Sequence, residues 1–129
     1  MANRFKREDV LQALCTKVGG VSDYVFTTSR PSATSKMDDF IVIRLSNGIT
    51  PYADTHNYSD VQFICFVRDV QGGVENVVKE EELIDGILSI FPFNDSLISC
   101  NNTPVVLASK SDGMGFHSTI IQAKVIIKV

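Results

Sequence analysis

At 129 residues, with no long Pro-, Ser- or Gly-rich tract to divide it, the chain has the size of one domain built around one core. Its 12 Lys and Arg stand against 15 Asp and Glu, and the resulting net charge of −3 argues against a domain that binds by neutralising phosphates. A hydrophobic fraction of 44% with 21% charged residues predicts a folded chain, and no apolar run approaches the roughly 20 residues a spanning helix needs, so no membrane partner is expected.

The polar start, with Arg4, Lys6, Arg7, Glu8 and Asp9, leads into no apolar signal segment, which favours a soluble, cytosolic origin. Val10, Leu11, Leu14, Cys15 and Val18 then recur at helical spacing up to Gly19 and Gly20, predicting a first helix over Arg7–Val18. Residues 23–26 read as a short extended piece. Residues 27–38, rich in Ser and Thr and interrupted at Arg30 and Pro31, read as loop. The β-branched run 40–45 predicts a strand that ends at Asn47 and Gly48, a turn-forming pair. Residues 49–59 are too polar for a core element and too long for a tight hairpin, so an extended, projecting connection is expected there.

The clearest strand signal lies in 60–68, where Val61, Phe63, Cys65 and Val67 fall on one face and Gln62, Ile64, Phe66 and Arg68 on the other. After Gln71, Gly72 and Gly73 the period changes. Val77, Val78, Ile84, Ile87, Leu88 and Phe91 form a helical stripe that Pro92 ends, with Glu80, Glu81 and Glu82 expected on its wet side. Residues 97–99 and 105–109 are short strand candidates. Asp112, Gly113, Met114 and Gly115 signal a hairpin into a long last strand over 116–129. Long strands joined by loops rather than crossover helices predict an α+β domain, a mainly antiparallel sheet with both helices packed on one face.

That arrangement assigns Ile41, Ile43, Leu45, Val61, Phe63, Cys65, Val67, Ile121, Ala123, Val125 and Ile127 to the core. The opposite face then presents Phe40, Val42, Ile64, Phe66, Ile120 and Ile126, interleaved with Arg44, Gln62, Arg68, Gln122, Lys124 and Lys128. Six large apolar side chains, at on the order of 80 Å² each if exposed, approach the patch size that marks an interaction surface. The expectation is that a second copy of the chain buries this face, with Phe40, Val42, Arg44, Ile64, Phe66, Arg68, Ile120, Lys124 and Ile126 at the contact. The competing reading folds 49–59 over it. Within that loop Tyr52, His56 and Tyr58 are the candidates for partner recognition, because tyrosine supplies contact area at low entropy cost.

No catalytic, metal or cofactor site is expected. Cys15, Cys65 and Cys100, odd in number and far apart, read as small buried hydrophobes of a reducing compartment. His56 and His117 are too distant in sequence to form a ligand pair, and Asp38 with Asp39 lacks further oxygen ligands at cation-binding spacing. Cys100, His117 and Asp112 could supply a nucleophile, base and orienter, but their spacing matches no signature. Ser109 and Lys110 precede a Gly turn, and no Gly-rich stretch has the lysine and helix start of a phosphate loop.

The element order resembles a known family. The N-terminal helix ending at Gly19 and Gly20, the Pro-containing loop, the strand Phe40-Ile41-Val42-Ile43, the long polar loop, the strand from Val61 to Val67, the Glu-rich helix ending Ile87-Leu88, and the hairpin Ser111-Asp112-Gly113 into Phe116-His117 resemble the tail completion, or tail terminator, proteins of long-tailed bacteriophages and prophages. The resemblance implies a small α+β subunit of a hexameric ring that caps the growing tail tube, stops its polymerisation and joins the tail to the head connector. It implies tail-tube and head-connector proteins as partners, no catalysis, no direct reading of nucleic acid, and a location in the bacterial cytoplasm during assembly and then in the virion tail. By the same analogy 49–59 reaches toward the tube or a neighbouring subunit. The Ser/Thr-rich segment 27–36 departs from the family pattern. The alternative from the residues alone is a small ligand- or peptide-binding module that dimerises through its sheet face.

Overall fold

The computed structural model describes residues 7–31, 34–45, 50–53 and 56–128, with backbone only at 50–53 and 56. Helix α1 is Arg7–Val18; Glu8 and Asp9 sit at its positive pole and Lys17 in its last turn, and Val10, Leu14 and Val18 are buried along one stripe. Strands β1 (Val25–Thr27), β2 (Asp39–Leu45), β3 (Thr50–Ala53) and β4 (His56–Arg68) follow. Helix α2 is Val77–Leu88, opened by Asn76, whose side-chain oxygen accepts the Lys79 amide at 3.3 Å. Strands β5 (Phe93–Asn94), β6 (Ile98–Cys100), β7 (Val105–Val106), β8 (Lys110–Ser111) and β9 (Phe116–Lys128) complete the chain.

The strands form one sheet in the order β1-β2-β4-β9-β6-β5, with β3 paired to β4, and β7 and β8 paired to β9. Only the β1–β2 pairing is parallel. Its axis is the β4–β9 ladder, which runs from His56 opposite Lys128 to Arg68 opposite Phe116. Both helices pack on one face, where Val10, Leu14 and Val18 of α1 and Leu83, Ile84 and Ile87 of α2 join the predicted inward residues of β2, β4 and β9 in one core. The fold is α+β, as the patterning predicts. Cys65 and Cys100 lie within this core and are free; burial, followed by the nearby Asp39 carboxylate, pushes the Cys65 thiol up to about 12.

Four local expectations are corrected. Residues 49–59 are not a projecting connection, because 50–53 fold back on 56–58 as a hairpin that lengthens β4 by four residues beyond 60. Polar side chains suit this extension, which lies beyond the stretch of β4 that β2 covers. The 105–109 strand shrinks to Val105–Val106, with one further bond from the Leu107 amide to the Ile120 carbonyl at 2.9 Å. In α2, Val77 and Val78 are exposed whereas Glu80 is 3% exposed. Glu80 sits three residues before Leu83, four before Ile84 and seven before Ile87, so it shares their inward stripe instead of the wet side.

The fourth correction concerns the outer face of the sheet. Phe40, Val42, Phe66 and Phe116 form a second, smaller core there, packed by Phe26, Met37 and Ile64. The Phe40 and Phe66 rings stack 4.5 Å apart, and Phe116 meets Phe40 edge-on at 5.3 Å. Among the described residues the cover comes from the segment between β1 and β2. Arg68 donates to the Met37 and Thr34 carbonyls at 2.7 and 2.6 Å from one nitrogen, and its guanidinium lies 4.6 Å from the Phe116 ring centre. Arg30 extends across Phe40, Phe66 and Phe116 at 5.3–5.7 Å and pairs with Asp112 through Nε at 3.2 Å and Nη2 at 3.1 Å. Asp112 in turn accepts the Met114 and Phe116 amides through its other oxygen, in a hairpin whose Gly113 and Gly115 take positive φ.

Candidate functional site

The register of β2, β4 and β9 arranges the outer face in rows. Phe40, Phe66 and Ser118 make the first, Val42, Ile64 and Ile120 the second, and Arg44, Gln62 and Gln122 the third, which Val105 extends. Asp60 with Lys124, and Tyr58 with Ile126, follow. The predicted contact residues therefore divide. Phe40, Val42 and Phe66 are buried by the chain's own 26–37 segment, and Arg68 is engaged in holding that segment down. Ile64, Ile120 and Ile126 are half-buried, while Arg44 and Lys124 are exposed. What the described residues leave less covered is the lower half of the face.

Within that half, Gln62 donates to the Gln122 side-chain oxygen at 3.2 Å, and Lys124 lies 4.5 Å over the Tyr58 ring. Three isoleucines among amides, cations and one tyrosine make a mixed surface of the composition common at subunit contacts. Of the loop candidates, Tyr58 lies beside Lys124 on this surface, whereas the Tyr52 and His56 side chains lie outside the described residues.

The helix-covered face carries a polar cluster that the residue pattern did not reveal. His117 Nδ1 and Asp69 Oδ1 are 2.5 Å apart, with both side chains largely shielded from solvent. That bond and the Asp69 charge raise the His117 pKa above its ordinary 6.5, with smaller contributions from Glu75 and Glu80. Nearby, Glu80 accepts the Ser109 hydroxyl at 2.7 Å through Oε1, while its Oε2 is buried without a donor. Burial raises the Glu80 carboxyl above the usual range; hydrogen bonds from Ser109 and Glu80 lower that of Glu75. The 80–84–87 spacing was the available signal for Glu80. Only the fold brings Asp69 to His117, 48 positions away.

A raised histidine pKa stabilises the fold where the unfolded imidazole is already charged, below about pH 6.5, and this contribution fades as pH rises through the folded value. Replacing Asp69 with Asn should therefore bring the His117 midpoint, followed by its ring-proton NMR shift, down toward 6.5. The stability lost in Asp69→Asn should be larger at about pH 5.5 than at about pH 8.5 in urea unfolding.

The structure does not assemble the nucleophile set. Cys100 lies on β6, whose neighbours in β9 are Ile126 and Ile127, on the order of 25–30 Å of strand from His117. Asp112 is held by Arg30. Asp39 accepts the Ser22 hydroxyl at 2.5 Å and pairs with Lys79 at 3.3 Å, so the Asp38–Asp39 pair is tied to protein donors. Among the described residues no group of three His, Cys, Asp or Glu is placed to hold a metal ion, and no helix is long and apolar enough to cross a membrane. No family model matches the chain, and no curated protein matches it.

Proposed function

We propose that the chain is a structural subunit that assembles into a ring through the uncovered half of its outer sheet face, capping a phage or prophage tail tube and joining it to the head connector. The observation that carries this reading is the division of that face. The chain seals the half around Phe40 with its own segment, yet leaves Ile64, Ile120 and Ile126 half-open among Arg44, Gln62, Gln122 and Lys124. A neighbour laid on these rows completes their burial and pairs with the exposed Arg44 and Lys124 heads, which suits a contact formed after folding. Element order and chain length, shared with tail terminators by resemblance, supply the ring and its partners. In this reading the protein has no catalytic role and works in the bacterial cytoplasm during assembly, then in the virion tail.

Sedimentation velocity and negative-stain electron microscopy of the purified protein test it. Sixfold rings are the expected result. The pair Arg44→Glu and Lys124→Ala should weaken assembly by about tenfold or more, with a circular dichroism melting curve close to wild type because both side chains are exposed in the isolated chain. A monomer at micromolar concentration overturns the reading, and a compact twofold particle points instead to a dimerising binding module.

A further inference from the structure

A groove of about 230 Å³ runs between α2 and residues 106–109, on the face of the sheet opposite the proposed subunit contact. Its walls include Val77, Ile84, Val106 and Leu107, and its floor includes Glu75 and Glu80. Two features mark it as more than a seam between elements. The first is Glu80 Oε2, buried with no donor among the described residues, on a residue only 3% exposed. An uncompensated buried carboxyl oxygen is costly, and Glu75, a second acid lining the same groove, adds its negative charge beside it. A cation seated against the two carboxyls would supply the missing donor.

The second is the strand beside it. Val105 and Val106 pair with Gln122 and Ile121 of β9, and among the described strands nothing pairs with their other edge. Val105, Val106 and Leu107 are all exposed, an apolar rim on an open edge. An extended segment added along this edge would find backbone partners there, and its alternate side chains would project over the groove toward α2. The walls fit methylenes, and the floor fits a positive head group.

We propose that this groove is a binding site for a lysine or arginine side chain carried by an extended segment of a partner protein, which adds to the β7 edge and delivers its cation to Glu80 and Glu75. Net acidity at the floor and the apolar walls select a basic side chain with an aliphatic stem over an acidic or short polar one. The groove lies on the face opposite the proposed subunit contact, the two sharing only Val105 at the β7 edge, so the proposal does not rest on the ring reading.

NMR titration of the whole protein with the blocked pentapeptide Thr-Val-Lys-Val-Thr, against the same peptide with norleucine for lysine, tests it. The lysine peptide should shift amide resonances of 105–109 and 75–84 and bind about tenfold more tightly than the norleucine peptide. Glu80→Gln, which keeps an oxygen for Ser109, should remove that preference. Equal binding of the two peptides, or shifts confined to Ile64, Ile120 and their neighbours, overturns the proposal from wild-type data alone, whether or not the variant folds. Lysine preference undiminished in a folded Glu80→Gln also overturns it.

Discussion

Phe40→Ala should lower the unfolding free energy by about 3–5 kcal/mol, a cost ordinarily reserved for a principal core. The ring is fully buried although it points away from both helices. It stacks on Phe66, meets Phe116 and Phe26 at 5.3 and 6.1 Å, and carries the Arg30 guanidinium 5.5 Å from its centre. Truncation removes apolar burial and opens a cavity beneath a segment that has no regular structure with which to collapse into it. Urea unfolding measures the loss. A cost under about 1 kcal/mol would mean that Phe40 stands open in the isolated chain, as the alternation of β2 alone suggests.

Arg30→Ala is expected to cost about 2–4 kcal/mol, most of it through the partner left behind. The Arg30 and Asp112 side chains are 17% and 10% exposed, so removing the cation strands a carboxylate that is already committed to two hairpin amides. The same change uncovers three aromatic rings. Arg30→Lys should recover only part of the loss, because an ammonium cannot reproduce the Nε hydrogen bond to Asp112 while lying flat on the rings. In a double-mutant cycle with Asp112→Asn, a coupling of about 1 kcal/mol or more is expected. Additive losses would show that the segment 27–31 and the 112–116 hairpin are held independently.

These two residues also show where reading the sequence succeeds and where it stops. Periodicity located α1 and the long strands, because one face of each had to meet the helices, and the eleven inward residues of β2, β4 and β9 follow from alternation alone. Alternation says which side chains share a face but not what lies upon it. Residues 27–38 have the composition of a solvated loop, and they bury an aromatic cluster through three contacts of high sequence separation: Arg30 to Asp112, and Arg68 to Thr34 and Met37. Such contacts leave no local period. Glu80 was misplaced for a different reason. Its acidity suggested water, whereas its spacing of four and seven from Ile84 and Ile87 directed it inward, where the Ser109 hydroxyl donates to it. That Ile64, Ile120 and Ile126 share the outer face was legible; how much of that face the chain would close for itself was not.

The β4–β9 ladder has a kinetic consequence. No hairpin links its strands; even their nearest ends, at Arg68 and Phe116, are separated by a stretch of chain that includes all of α2. The central pairing of the sheet must therefore wait for a long stretch of chain to be gathered in, and the entropy of that closure is spent before the axis of the fold yields any return. Domains wired this way reach the native state on the order of milliseconds to seconds, slower than helical bundles of equal size. During that interval β2 and β4 expose two apolar faces at once, so a nascent chain passes through its stickiest state before its sealing segment and its last strand arrive.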